Sequence, residues 1–160
     1  MQSRPSYAKS APEVVQSMLT LVSAVRKSGL PEQLIALLDY RVSQINGCAY
    51  CLDMHSKDLR ALGETEQRIY MISAWREAEH LYSARERAAL AWAEAVTTLK
   101  HNEVPDAVYD AARKEFSDKE LVDLTMAVIA INGWNRLAIS FRTVAGTYQP
   151  TPPQGNAKEA

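Results

Sequence analysis

The sequence predicts an all-α fold in a single domain, on three observations. Apolar residues recur at helical spacing through most of the chain, while strand-like alternation is scarce. Ser83-x-x-Glu86 and Ser117-x-x-Glu120 are capping boxes, in which serine hydroxyl and glutamate carboxylate satisfy backbone N–H groups at a helix start. The chain has 160 residues, 47% of them hydrophobic and 23% charged, which suits one domain with a sizeable core.

Each helix carries its own start or stop signal. Ala11-Pro12 opens a stretch with Val14, Val15, Met18, Leu19 and Val22 on its apolar side, and Lys27-Ser28-Gly29 ends it. Pro31 suits the first position of the next helix, which carries Leu34, Leu37, Leu38 and Val42 to a break at Asn46-Gly47. The helix after the break runs to Gly63, a left-handed cap. Thr65 to Tyr82 reads as one or two short helices. Ser83 opens a helix with Ala88, Ala91, Trp92, Ala95, Val96 and Leu99 at helical spacing. Pro105 starts another, through Phe116, and Ser117 opens a long apolar helix with Leu121, Leu124, Val128 and Ile131. Residues 1–147 thus form the helical domain. The remainder, 148–160, is Pro-rich and polar and reads as a flexible tail.

The chain repeats itself at an offset of 86 residues: Leu38, Val42, Ile45, Asn46 and Gly47 line up with Leu124, Val128, Ile131, Asn132 and Gly133. The reading is a duplicated helix-break-helix unit. Its second copy places Trp134, Leu137 and Phe141 where the first has Cys48, Cys51 and His55.

The two cysteines of the chain lie together in Cys48-Ala49-Tyr50-Cys51-Leu52-Asp53-Met54-His55. At roughly 100° per helical residue, Cys48, Cys51 and His55 project at about 0°, 300° and 340°, one face within two turns. Tyr50 projects at about 200°, away from that face, and reads as a packing residue. The break at Ile45-Asn46-Gly47 puts Cys48 in a first turn, where free N–H groups and the helix dipole favour negative charge. A thiolate, which is the nucleophilic form of cysteine, is favoured by such a helix start and by a nearby basic group.

Composition narrows the function classes. A formal net charge of −1 and the lack of a basic stripe give no argument for nucleic acid. The longest apolar runs are far short of a membrane span, and the N-terminus lacks a signal-peptide stretch, so a cytoplasmic protein is expected. In a reducing compartment a lone Cys-x-x-Cys points to catalysis or metal binding before a structural disulfide. Zinc needs about four ligands, and beyond Cys48, Cys51 and His55 the chain offers His80 and His101, remote and unpatterned. Leu52 stands where a c-type haem motif needs histidine, and a thioredoxin-like βαβ pattern is absent.

The stretch Ser43 to His55, with Ala74-Trp75-Arg76-Glu77, Arg85 to Trp92 and Ile131 to Ala138, resembles the alkylhydroperoxidase D family of the carboxymuconolactone decarboxylase superfamily. The resemblance spans nearly the whole chain except the tail. It implies an all-α fold, a homo-oligomer (trimer or hexamer), no cofactor, and a thiol-dependent peroxidase or disulfide-reductase activity of antioxidant defence. It also implies roles: Cys51 attacks the hydroperoxide, Cys48 resolves, and His55 handles the proton. An external dithiol then reduces the disulfide by exchange. Two positions depart from the family's relay. The family's glutamate, twelve positions before the first cysteine, is Ala36 here, and its histidine between the cysteines is Tyr50. Glu94, on an otherwise apolar helix, either completes the relay or forms a salt bridge. Glu86 is explained by its capping box.

Two other functions remain open on sequence. One is a redox adaptor or sensor that passes electrons to a partner peroxidase through the same residues. The other is a lyase of the decarboxylase branch, which does not depend on a Cys-x-x-Cys pair. Broad apolar stripes and three tryptophans agree with the implied oligomer.

Overall fold

A computed structural model of the chain describes residues 4–150, and the fold is organised around its third helix. In chain order the α-helices among the described residues are α1 (Tyr7–Ser10), α2 (Pro12–Arg26), α3 (Glu32–Asn46), α4 (Ala49–Ala61), α5 (Glu66–Met71), α6 (Ala84–Thr98), α7 (Asp106–Glu115) and α8 (Asp118–Ser140). Short 3₁₀ turns, Ile72–Ala74, Glu79–Leu81 and Lys100–Asn102, link them, and no strand occurs among the described residues. The all-α expectation holds, with boundaries close to those the capping signals predict.

Helix α3 packs against α4, α6 and α8. Its residues Leu34, Ile35, Ala36, Leu37, Leu38, Val42 and Ser43 are all buried, so it is apolar around most of its circumference in the way a central helix must be. Helix α8 presents Leu124, Val128 and Ile131 to the same core, and α6 presents Ala88, Ala89, Leu90 and Ala93. Ile69, Ile72 and Trp75 close one end. Both capping boxes form, Ser83 with Glu86 and Ser117 with Glu120. Each such cap contributes about 1 kcal/mol.

The repeat is visible in space, and its two copies touch. The Asn46 side-chain amide donates to Asn132 Oδ1 at 2.9 Å and to Asn135 Oδ1 at 2.8 Å. Asn135 in turn donates to Ser43 Oγ at 3.0 Å, and Ser43 donates to the Asp39 carbonyl at 2.7 Å. Ser43 and Asn135 are wholly buried. The copies differ at the break. Gly47 turns left-handed (φ 67°) and ends α3, whereas α8 continues as helix straight through Gly133. Gly133 answers a different need: a Cβ there would lie 2.7 Å from Met18 Cε, so the glycine lets α2 press onto α8.

Other side chains sort differently from their sequence pattern. Val14 and Leu19, on the apolar stripe of α2, are exposed. Trp75 and Trp92 are buried in the core, with Trp92 Nε1 donating to Thr125 Oγ1 at 3.0 Å, so they do not mark a subunit interface. Apolar exposure falls instead on Val122, Ile129 and Ile139 along α8. No described helix is long and apolar enough to cross a membrane. After α8 the chain returns over α4: Gly146 N–H donates to Asp53 Oδ2, Lys57 Nζ donates to the Tyr148 carbonyl, and the Tyr148 hydroxyl donates to Asp58 Oδ1 at 2.7 Å. Of the expected tail, 151–160 lies outside the described residues.

The buried amide of Asn135 joins α8 to the α3–α4 junction, and removing it takes one hydrogen bond each from Ser43 and Asn46. Asn135→Ala is expected to lower unfolding free energy by about 2–3 kcal/mol in urea denaturation. Asn135→Ala combined with Ser43→Ala should cost less than the sum of the two single changes.

Candidate active site

Helix α4 begins at the cysteine pair because the αL turn at Gly47 releases the chain from α3 and restarts it at Cys48. Cys48 is the N-cap, and its sulfur accepts the Cys51 backbone N–H at 3.4 Å, as a serine hydroxyl would in an ordinary cap. The two sulfurs are 2.8 Å apart. Both cysteines are free and only 1% exposed. Ala138 of α8 and Tyr50 pack against them.

So close a buried pair holds one negative charge, and its surroundings place that charge on Cys48. The hydrogen bond from Cys51 draws the Cys48 thiol down, burial opposes, and the Cys51 N–H, His55 and Asn135 add to the pull; the result is about 6. Cys51 is pushed up, first by that same hydrogen bond and then by burial. In the resting pair the S–H therefore belongs to Cys51 and the thiolate to Cys48.

Cys51 and His55 line one cavity of about 280 Å³ between α2, α3, α4 and α8. Its walls are mostly apolar, among them Val22, Ile35, Ala127, Ile131 and Trp134. His55 is 7% exposed, and its Nε2 is buried with no hydrogen-bond partner. Its Nδ1 faces Asp58 Oδ2 at 3.6 Å, and Asp58 is held on its other oxygen by the Tyr148 hydroxyl. Burial works against the Asp58 charge, but His55 and Tyr148 overcome it and keep the carboxyl below its usual range. With Nδ1 turned to a carboxylate, the Nε2 lone pair is left facing inward as a proton acceptor.

Asp39 lines the same cavity from α3. Burial raises its carboxyl from 3.8 to about 6, against the pull of His55 and Arg26 and with the push of Asp58. It stands one helical turn beyond Ala36, where the family's relay glutamate would lie. Sequence reading weighed Ala36, Glu94 and Glu86 for the relay, and the signal it passed over was an acidic residue three positions beyond Ala36, sharing the face of that buried helix. Asn135 and Asp58 also escaped it, since each gains meaning only from a neighbour on another element.

The remaining candidates settle plainly. Glu94 accepts from Arg41 at 2.7 Å, from Trp75 Nε1 at 2.9 Å and from Arg76 at 2.5 Å, so it is an ion-cluster residue outside the cavity. Glu86 serves its cap and also pairs with Arg68. His80 and His101 are exposed. Tyr50, which the helical wheel turned away from the cysteines, lines the cavity and packs on the pair from the first turn of α4. In the second copy Trp134 lines the cavity, and Tyr7 packs against both it and Phe141, with ring centroids 6.4 and 5.8 Å apart.

Comparison with known proteins agrees with the all-α fold. The carboxymuconolactone decarboxylase family model matches residues 12–95. The uncharacterized protein YdfG of Bacillus subtilis (strain 168) is 41% identical over 140 residues, 88% of this chain and 95% of that protein. A crystal structure from Agrobacterium tumefaciens, of a protein of unknown function described as a putative antioxidant defence protein AhpD, is similar with a TM-score of 0.86 and 42% identity, covering 92% of this chain and all of that one. An uncharacterized peroxidase-related protein from Silicibacter shares the fold alone, at a TM-score of 0.73 and 24% identity over 82% of this chain and 70% of that one.

Two outcomes follow from these charges. Ultraviolet thiolate absorbance of the reduced protein should rise for one thiolate per chain with a midpoint near pH 6, and Cys51→Ala should move that midpoint upward. The folded state keeps the Asp39 proton up to about pH 6, while the unfolded chain releases it near 3.8, so stability falls as pH rises through that window. Asp39→Asn should therefore stabilise the protein by about 1–3 kcal/mol in denaturant titrations at pH 7, with no gain at pH 3.

Proposed function

The chain is an alkylhydroperoxidase D-like member of the carboxymuconolactone decarboxylase family, and from that premise we propose that it is a thiol-dependent hydroperoxidase of antioxidant defence, reduced by an external dithiol. The observation that carries the reading is one apolar cavity lined by both Cys51 and His55, whose Nε2 is buried and unpartnered, with a second sulfur 2.8 Å from the first. A bystander cysteine pair has no need of a cavity, a base or a neighbouring carboxylate.

The chemistry runs from these groups. His55 Nε2 takes the Cys51 proton as the sulfur attacks, so the pair never carries a second full charge, and Asp58 balances the imidazolium from the Nδ1 side. The Cys51 sulfur attacks the terminal oxygen of the hydroperoxide. The S–O bond forms, the O–O bond breaks, and the departing alkoxide recovers a proton from His55 to leave as an alcohol. Cys48, already a thiolate, attacks the Cys51 sulfenic acid and expels hydroxide, which is protonated to water, leaving a disulfide. Asp39 takes the place of the relay carboxylate, one turn along α3, and exchanges protons between the cavity and His55. The working unit is proposed to be a homo-oligomer, supported by the exposed Val122, Ile129 and Ile139 of α8.

Reduced protein should consume an organic hydroperoxide and lose two thiols per chain; unreactive thiols in the native protein would end this reading. Cys48→Ser should accumulate sulfenic acid on Cys51, and trapping it on Cys48 in Cys51→Ser instead would reverse the roles. His55→Asn should lower kcat/KM by roughly 10²- to 10⁴-fold. Asp39→Asn should lower it less and remove the limb of the pH profile near 6.

A further inference from the structure

The two cysteines touch each other yet open onto different pockets. Cys51 lines the apolar cavity of about 280 Å³, and Cys48 does not. Cys48 lines a second pocket of about 630 Å³, between the α3–α4 turn and the segment after α8, and Cys51 does not. Tyr7, Tyr50 and Ala138 line both pockets and form the wall between them. The walls also differ in charge. The first pocket holds the carboxyl of Asp39 beside Arg26 and His55. The second has Arg4 and Arg142 and the hydroxyls of Ser6 and Thr143, with no acidic side chain.

We infer that the redox pair is served from two sides, the hydroperoxide reaching Cys51 through the apolar cavity and an anionic dithiol reductant reaching Cys48 through the second pocket. This rests on the peroxidase reading for its first half only; the second half concerns reduction of the disulfide however it was made.

Displacement at a disulfide sulfur runs in line, so a thiolate attacking Cys48 must approach away from Cys51, and the second pocket is the one that Cys48 lines and Cys51 does not. The attack forms a bond between the reductant sulfur and Cys48 and breaks the Cys48–Cys51 bond. Cys51 leaves as a thiolate beside His55 and takes a proton there. The second thiolate of the reductant then attacks its own bound sulfur, closing the reductant's disulfide and expelling Cys48 as a thiolate at the start of α4. Two electrons pass to the protein. Of the two protons the dithiol gives up, one ends on Cys51 and one in solvent. The second leaving group is the sulfur with the lowered pKa, the better one to expel. The arginine rim of the second pocket selects negative charge next to the thiols, and such attraction weakens with salt.

Stopped-flow measurement of each half-reaction tests this. The pair is oxidised either with cumene hydroperoxide or with diamide, and reduced with neutral dihydrolipoamide or anionic dihydrolipoate, both of which close a five-membered ring on oxidation. Ala49→Phe, which narrows the second pocket from an exposed position, should slow reduction by both dithiols at least tenfold and leave cumene hydroperoxide oxidation within twofold; Val144→Trp repeats the test at another exposed lining position. Leu19→Trp, at the mouth of the first cavity, should do the converse. Arg4→Glu should slow dihydrolipoate more than dihydrolipoamide, and added salt should remove the difference. Reduction unchanged in both Ala49→Phe and Val144→Trp, or both half-reactions slowed alike by either set, overturns the inference. If hydroperoxide does not oxidise the pair, the peroxidase reading fails while the diamide-oxidised protein still reports the reduction side.

Discussion

A buried chain of hydrogen bonds, Ser43 to Asn135 to Asn46 to Asn132, fixes the junction on which the site depends. It ties the end of α3 to the middle of α8, where each polar group would cost about 1–3 kcal/mol if left unpaired. Gly47 can then turn left-handed and stop α3 at one defined residue. That stop makes Cys48 an N-cap and sets Cys51 one turn deeper. Because Asn135 also favours the charged form of either sulfur, the same amide that anchors the junction acts on the charge of the pair.

The site gathers groups that a purely stable protein would not keep together. Two sulfurs share one charge, a histidine nitrogen is buried without a partner, and a carboxyl is pushed up to about 6 by burial. Each is unfavourable alone, and together they form a set of groups able to pass protons among themselves near neutral pH. The strap after α8 keeps the set aligned from outside: Tyr148 holds Asp58, and Asp58 faces the histidine.

The duplication explains why chemistry sits in one half only. Both copies carry the Leu, Val and Asn that bury and bond at the centre. In the first, the left-handed glycine ends a helix and exposes free N–H groups to a sulfur. In the second, the helix continues, its N–H groups are spent inside it, and the equivalent positions hold Trp134, Leu137 and Phe141. Trp134 then becomes wall for the cavity that its counterpart's helix serves.

The order of helices α2 to α8 and most of their starts were legible from capping boxes, prolines, glycines and apolar spacing, because these are local preferences that each segment expresses by itself. The Cys48–Cys51–His55 cluster was legible too, since one helical turn is enough to bring i, i+3 and i+7 together. The continuation of α8 through Gly133 was not, because a glycine chosen for Met18's approach looks in sequence like one chosen for a turn. Nor were Asp39, Asp58 with Tyr148, and the separate pockets of the two sulfurs. Those arise where α2, α3, α4, α8 and the C-terminal strap meet. Sequence by itself determined the helices and the reactive pair, which follow from short-range geometry. Tertiary structure alone decided which carboxylates stand beside the histidine, which sulfur carries the charge and which side of the pair opens where, because burial and long-range contact set pKa and access.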